Sequence, residues 1–225
     1  MFSALAFSAL LLSTAAFADD AGVIVNRKAN YSSSTGASGV ASSTTTLENG
    51  AANTKGSWTN AAGGTGTWQS QGKWDRATKS GTFGGTATRP NGKTSTWQGT
   101  SAKTAPGVVS SGGTITLANG KKVTFASTDT RVAPGTWDKQ QVFTGPNGNS
   151  VDRAVTTTVA PGNVTSSATS TLPNGQTLAS TSTVIKPEGP GTITSSSSTT
   201  LPGGQTLSGN ATITQTVSPA NASGK

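Results

Sequence analysis

Small polar side chains alternate with apolar side chains over most of the chain. Val123 and Phe125 are separated by Thr124, and the same alternation is seen around Leu178 and Leu207. A period of two over about ten residues is typical of β-strands with one polar and one apolar face. The pattern therefore predicts an all-β protein, with threonine and serine on one face of each strand.

Turn signals divide these strands at regular intervals. Pro-Gly pairs recur at 106–107, 134–135, 161–162 and 190–191, midway between the members of a second series of turns. That second series ends in glycines spaced 28, 28, 27 and 29 residues apart, at Gly92, Gly120, Gly148, Gly175 and Gly204. A fixed period indicates repeated structural units. We predict an antiparallel hairpin meander of strand–turn–strand units of about 28 residues.

The apolar residues stand at odd-numbered distances from the turn glycine, and this spacing selects the length of the turn loop. A three-residue loop pairs Ile115 with Val123 and Phe143 with Val151, which places apolar residues on one face. Pro-Asn-Gly suits such a loop, because Pro opens a type I turn and Gly takes the left-handed bulge position. The same register places threonine pairs such as Thr171/Thr177 and Thr200/Thr206 on the other face. Two alternatives use the same residues: a β-solenoid with stacked threonine ladders, and a disordered Ser/Thr-rich stalk.

The chain begins with an apolar run that ends in Ala16-Phe17-Ala18. This pattern predicts a secretory signal peptide over 1–18. No later stretch is apolar enough to predict a membrane-spanning helix. We further divide the chain into an irregular Ser/Thr/Gly-rich segment at 19–62, an aromatic and basic β-repeat region at 63–150, a Thr/Ser-rich β-repeat region at 151–219, and a tail at 220–225.

Composition excludes several kinds of chemistry. The chain contains no cysteine and no histidine, so it has no disulfide, thiol nucleophile or Ser-His-Asp triad. The acidic residues are scattered, and no phosphate-binding or nucleic-acid-binding motif is complete. We predict a non-enzymatic protein with no catalytic residues, no metal site and no cofactor.

Tryptophan and basic residues cluster in the region 63–150, and the whole chain carries a net charge of +8. Tryptophan stacks on sugar rings, and basic side chains attract anionic polymers. The ligand-binding candidates are therefore Trp68, Trp74, Arg76, Lys93, Trp97 and Trp137. Core packing is the competing interpretation, because Trp97 has the parity of the apolar face.

These features favour a secreted structural or adhesive β-repeat protein of the cell surface or extracellular matrix, such as a biofilm component. Exposed strand edges would allow it to self-associate, and its basic aromatic region would contact an anionic polysaccharide or other surface polymer. A glycan- or polyanion-binding module and an ice-binding threonine array are the alternatives. The expected location is extracellular or cell-surface, or periplasmic in a Gram-negative cell.

Overall fold

A computed structural model describes residues 22–185 and 191–219, and these residues form 14 β-strands. The predicted signal peptide and the tail at 220–225 lie outside them. The strands are β1 (Val23–Ser33), β2 (Ser38–Glu48), β3 (Ala51–Asn60), β4 (Thr65–Asp75), β5 (Ser80–Thr88), β6 (Thr94–Ala105), β7 (Val108–Thr116), β8 (Lys122–Ala133), β9 (Thr136–Thr144), β10 (Ser150–Ala160), β11 (Asn163–Thr171), β12 (Thr177–Ile185), β13 (Gly191–Thr200) and β14 (Thr206–Pro219).

The strands form one antiparallel meander that closes on itself as a barrel. Each strand pairs with its successor in the chain, and β1 pairs with β14 from Val23↔Pro219 to Ser33↔Gly209. The predicted all-β antiparallel meander is confirmed. The solenoid and the disordered stalk are wrong, because neighbouring strands run antiparallel and share continuous ladders of hydrogen bonds.

The predicted hairpin register is confirmed by the strand pairing. Ile115 lies opposite Val123, and Thr171 lies opposite Thr177. In the loop between β7 and β8, the Gly120 amide donates to the Leu117 carbonyl at 2.8 Å, and Gly120 has a φ of 79°. A type I turn followed by a left-handed glycine makes the three-residue loop that the parity requires.

The segment 19–62 is more regular than its composition predicts, because it contains β1, β2 and β3. The run of serine and threonine at 42–46 forms the middle of β2, which pairs with β1 on one side and β3 on the other. Threonine favours a pleated surface once neighbouring strands supply hydrogen bonds and packing. The regular structure here therefore depends on pairing rather than on local sequence.

The two faces of the wall differ in exposure. Ala168 in β11 is 8% exposed, whereas Ala154 in the adjacent strand β10 is exposed on the opposite face. Both alanines have small or medium-sized cross-strand neighbours, so side-chain size does not account for the difference. Side chains converge on the concave side of a curved sheet and spread apart on the convex side. The face of Ala168 is therefore the inward face, and the face of Ala154 is the outward face.

The inward face carries the apolar residues, yet the barrel is hollow. Ala29, Ile193 and Ile213 form a buried cluster where the last strands meet the first. Elsewhere the inward side chains are mostly half-buried, and no large side chain among the described residues is completely withdrawn from water. Barrels of about eight strands are filled by their own side chains, whereas barrels of roughly 16 strands leave an aqueous channel. This 14-strand barrel has an open lumen.

Candidate functional site: the barrel lumen

Aromatic rings on the inward face lie over glycines of the adjacent strand. A Cβ atom at Gly99 would contact the Phe83 ring, and one at Gly85 would contact the Trp97 ring. The two residues of each such pair are direct cross-strand partners. The seven aromatic–glycine pairs are Tyr31–Gly39, Trp58–Gly66, Trp68–Gly56, Trp74–Gly81, Phe83–Gly99, Trp97–Gly85 and Phe125–Gly113. The missing glycine side chain provides the space for each ring.

Apart from Tyr31, which lies in β1, these rings line one side of the lumen. The Trp58 and Trp68 ring centroids are 5.9 Å apart, and those of Phe125 and Phe143 are 6.3 Å apart. We call the inward face of β3 to β9 the aromatic wall. The inward face of β10 to β14 carries mainly serine, alanine and aliphatic residues, and we call it the small-residue wall. The lumen is thus chemically asymmetric.

The structure separates the sequence-predicted ligand residues into two groups. Trp68, Trp74 and Trp97 belong to the aromatic wall, and Trp137 lies in β9 opposite Thr157. Trp68 is only 6% exposed. Arg76 and Lys93 lie outside the strands, in turns at opposite ends of the barrel. The tryptophans therefore share the lumen, and the two basic residues are not brought together with them.

Charged side chains also enter the lumen. Lys139 and Asp129 form an ion pair of 3.1 Å between β9 and β8. Arg27 lies on the other side of the barrel, on the inward face of β1. Its Nε donates a hydrogen bond of 2.9 Å to Oε1 of Gln215 in β14. Arg27 has no carboxylate partner within the described part of the chain.

The surroundings of Arg27 are polar and well buried. Its cross-strand neighbours are Ser43 and Gln215, each 8% exposed. Beyond Ser43 the same row continues to Gly56, over which the Trp68 ring lies. Desolvation lowers the pKa of the Arg27 guanidinium below its ordinary value, yet arginine remains a cation at any physiological pH. A half-buried cation thus faces the lumen beside an aromatic ring.

Sequence reasoning missed Arg27, although a signal was available. Arg27 stands on the same face of β1 as the apolar residues Val25 and Ala29. A charged residue at an inward position is unusual unless it is paired or functional. The composition of the segment 19–62 concealed this pattern, because it predicts an irregular Ser/Thr/Gly-rich segment there.

The outward face is mainly polar, although Val40, Val142 and Ile185 are exposed on it. Threonine and serine dominate it, and Thr88 and Thr94 show how they pair across strands, with hydroxyl oxygens 2.9 Å apart. Lys28 and Lys55 are exposed on this face near the middle of β1 and β3. The wall therefore presents hydroxyl and ammonium groups where a lipid-facing barrel carries an apolar band.

Two further classes of feature are absent from the described residues. Residues 22–185 and 191–219 contain no group of three or more acidic, histidine or cysteine residues that could hold a metal ion. The same ranges contain no helix long and apolar enough to cross a membrane.

Comparison with known proteins identifies the class of fold. No protein-family model matches the chain, and no curated protein matches it. Two porin mutants of Rhodopseudomonas blastica have similar structures, each with a TM-score of 0.53, at 6% and 7% sequence identity. Each match covers 87% of this chain and 99% of the porin chain. OccK5 of Pseudomonas aeruginosa, with a TM-score of 0.42, is too dissimilar to support an argument. The chain has a porin-like β-barrel fold.

This fold overturns the function predicted from the sequence. Adhesive self-assembly required free strand edges, but the pairing of β1 with β14 closes the barrel. Ice binding required a flat threonine array, whereas these threonines are distributed around a cylinder. The glycan-binding platform required exposed tryptophans on one surface, whereas Trp68, Trp74 and Trp97 line the lumen. The structural or adhesive function and both alternatives are therefore wrong.

The predicted location is overturned by the same finding. The closed porin-like barrel is the finding that contradicts a secreted, extracellular-matrix or cell-surface component. The predicted contact with an anionic polysaccharide stays a prediction from composition. The segment boundaries predicted from the sequence likewise stay predictions, although all of the described strands belong to one barrel.

Proposed function

We propose that the lumen is the functional part of this protein and that it takes up small apolar or aromatic solutes without catalysing a reaction. The sorting of residues between the two faces carries this proposal. Aromatic rings and most aliphatic side chains point into a hollow barrel, while most threonines point outward together with Lys28 and Lys55; serine occurs on both faces. Concave sites lined by apolar side chains with a few polar groups are typical of small-molecule binding.

The outward face favours a wall that is surrounded by water. A lysine on the lipid-facing surface at the middle of the bilayer costs about 2–4 kcal/mol. Lys28 and Lys55 each occupy the middle of a strand and would incur this cost. The threonine and serine rows add hydroxyl groups for which a bilayer offers no hydrogen-bond partners, while water satisfies them at once.

Binding of toluene to the purified full chain tests the proposal, with titration calorimetry as the measurement. Phe143→Ala removes a ring from the aromatic wall, and we expect it to weaken toluene binding several-fold. Val142→Ala is the matched control, because Val142 is the preceding residue of β9, points outward and is 40% exposed. Absence of toluene binding, or equal losses in both variants, would refute lumenal uptake.

A channel across an outer membrane is the second candidate, and the likeness to porins favours it. In that case the full chain should conduct ions in planar lipid bilayers. Ala168→Trp should lower the single-channel conductance by narrowing the lumen, whereas Ala154→Trp should leave it unchanged. A protein that stays monomeric in detergent-free buffer and does not conduct would eliminate the channel.

A further inference from the structure

We infer that Arg27 is the anion-binding group of the lumen and receives the carboxylate of a small apolar acid. The inference deepens the proposed function, on which it rests, by naming the class of solute. It starts from the position of Arg27 in the wall. A row of direct cross-strand partners runs from Gln215 through Arg27 and Ser43 to Gly56.

The hydrogen bonds of Arg27 leave its charge available. Nε donates to Gln215, and neither terminal amino group has an acceptor within residues 22–185 and 191–219. The two terminal amino groups of a guanidinium match the two oxygens of a carboxylate. Gln215 is 8% exposed and fixes one edge of the guanidinium, so little side-chain freedom remains to be lost when an anion binds.

The position of the acidic residues explains why this charge stays uncompensated. The acidic partner present on the inward face is Asp129, and Lys139 neutralises it. That ion pair lies on β8 and β9, and β8 is the strand farthest from β1 in the closed order of 14 strands. A half-buried cation without a counter-charge gains free energy when an anion enters the lumen.

The side chains next to Arg27 close the wall side of the site. Ser43 and Gln215 are each 8% exposed, and the Trp68 ring, which lies over Gly56 beyond Ser43, is 6% exposed. An anion therefore reaches the Arg27 guanidinium from the lumen.

Benzoate is the probe, and titration calorimetry of the full chain is the measurement. Arg27→Gln should weaken benzoate binding about 10- to 100-fold, which is the range for loss of a charge-assisted hydrogen-bonded contact. Arg153→Gln is the matched control, because Arg153 also lies on the inward face without an acidic partner among the described residues, on β10 beside Gln141 and Ser170. Equal losses in the two variants would overturn the inference, since they would indicate only a positively charged lumen.

Gln215→Glu provides an independent test that preserves Arg27. The new carboxylate would lie where Gln215 now accepts the Arg27 hydrogen bond, and it should reduce benzoate binding at least tenfold by competing for the guanidinium. Circular dichroism checks that each variant is folded. Unchanged benzoate binding in folded Gln215→Glu would overturn the inference.

Two further ligands separate this inference from the proposed function. Acetate, which has the carboxylate but no ring, should lose affinity in Arg27→Gln as benzoate does. Toluene, which lacks the carboxylate, should bind Arg27→Gln and the wild-type chain equally. If toluene binds and benzoate binds no better than toluene, the anion site is refuted and lumenal uptake stands. If neither binds, both are refuted.

Discussion

The Phe83 and Phe125 rings meet across two intervening strands, with centroids 6.0 Å apart. Phe83 in β5 extends over Gly99 in β6, and Phe125 in β8 extends over Gly113 in β7. Neighbouring strands lie about 4.8 Å apart, so three spacings would otherwise hold these residues too far apart for ring contact. The two glycines and the inward curvature of the wall bring the rings together.

Gly113→Ala should destabilise the barrel by about 1–3 kcal/mol, the range for overpacking a well-packed site. The added Cβ would meet the Gln98 carbonyl oxygen first, and it would also lie 2.7 Å from the Phe125 ring and 2.8 Å from the Gly99 Cα atom. Gly112→Ala is the matched control on the outward face of the same strand, where the nearest atom is 3.4 Å away. Urea-induced unfolding measures both free energies, and similar values for the two variants would contradict the role of the aromatic–glycine pairs.

Ile213→Ala should lower the free energy of unfolding by about 2–4 kcal/mol, because it removes a side chain that is 4% exposed. Ile213 packs with Ala29 and Ile193 at the closure of the barrel. Thr214→Ala, on the exposed face of the same strand, should change the free energy by no more than about 0.5 kcal/mol. Chemical unfolding of the two variants checks the difference. An unchanged free energy of unfolding in Ile213→Ala would show that the buried cluster at the closure of the barrel does not stabilise it.

Removal of residues 206–225 should convert the monomer into oligomers. The truncation deletes β14 and leaves one edge of β1 and one edge of β13 without hydrogen-bond partners. Unpaired edges are templates for association with other chains. Analytical ultracentrifugation should detect larger species in the truncated chain alone. A full-length chain that oligomerises equally would show that closure does not suppress edge pairing.

The stability should fall in acid partly through Asp75, at the turn after β4. Hydrogen bonds donated by the Ala77 amide at 2.8 Å and the Thr78 amide lower the pKa of the Asp75 carboxyl below its ordinary value. Because the folded-state pKa is the lower one, this contribution is present above the unfolded-state pKa. It is lost as the pH falls through the folded-state value.

Asp75→Ala should therefore be less stable than the wild type near pH 7, and the difference should shrink in strong acid. Asp75→Asn is the control, because its side-chain oxygen accepts the same hydrogen bonds without a charge. Thermal unfolding across the pH range is the measurement. A wild-type advantage over Asp75→Ala that is independent of pH would contradict this assignment.

The candidate site was only partly predictable from the sequence. The parity of Trp97 indicated the apolar face, and the structure places that ring over Gly85 in the lumen. The sequence offered no reason to connect Arg27 with Gln215, because 188 residues separate them. Their contact exists because β1 pairs with β14, and no local pattern encodes that pairing.

Beyond residue 62, the sequence by itself determined the strands, the hairpins and their register. Turn chemistry and a period of two act over a few residues, so they place Ile115 opposite Val123 whatever the rest of the chain does. Only the tertiary structure decided that the meander closes and that the face of Phe125 points inward. The same alternation fits an open sheet, a solenoid or a barrel. Closure depends on the curvature summed over 14 strands, which brings Val23 to Pro219 and turns the apolar face into the lining of a lumen.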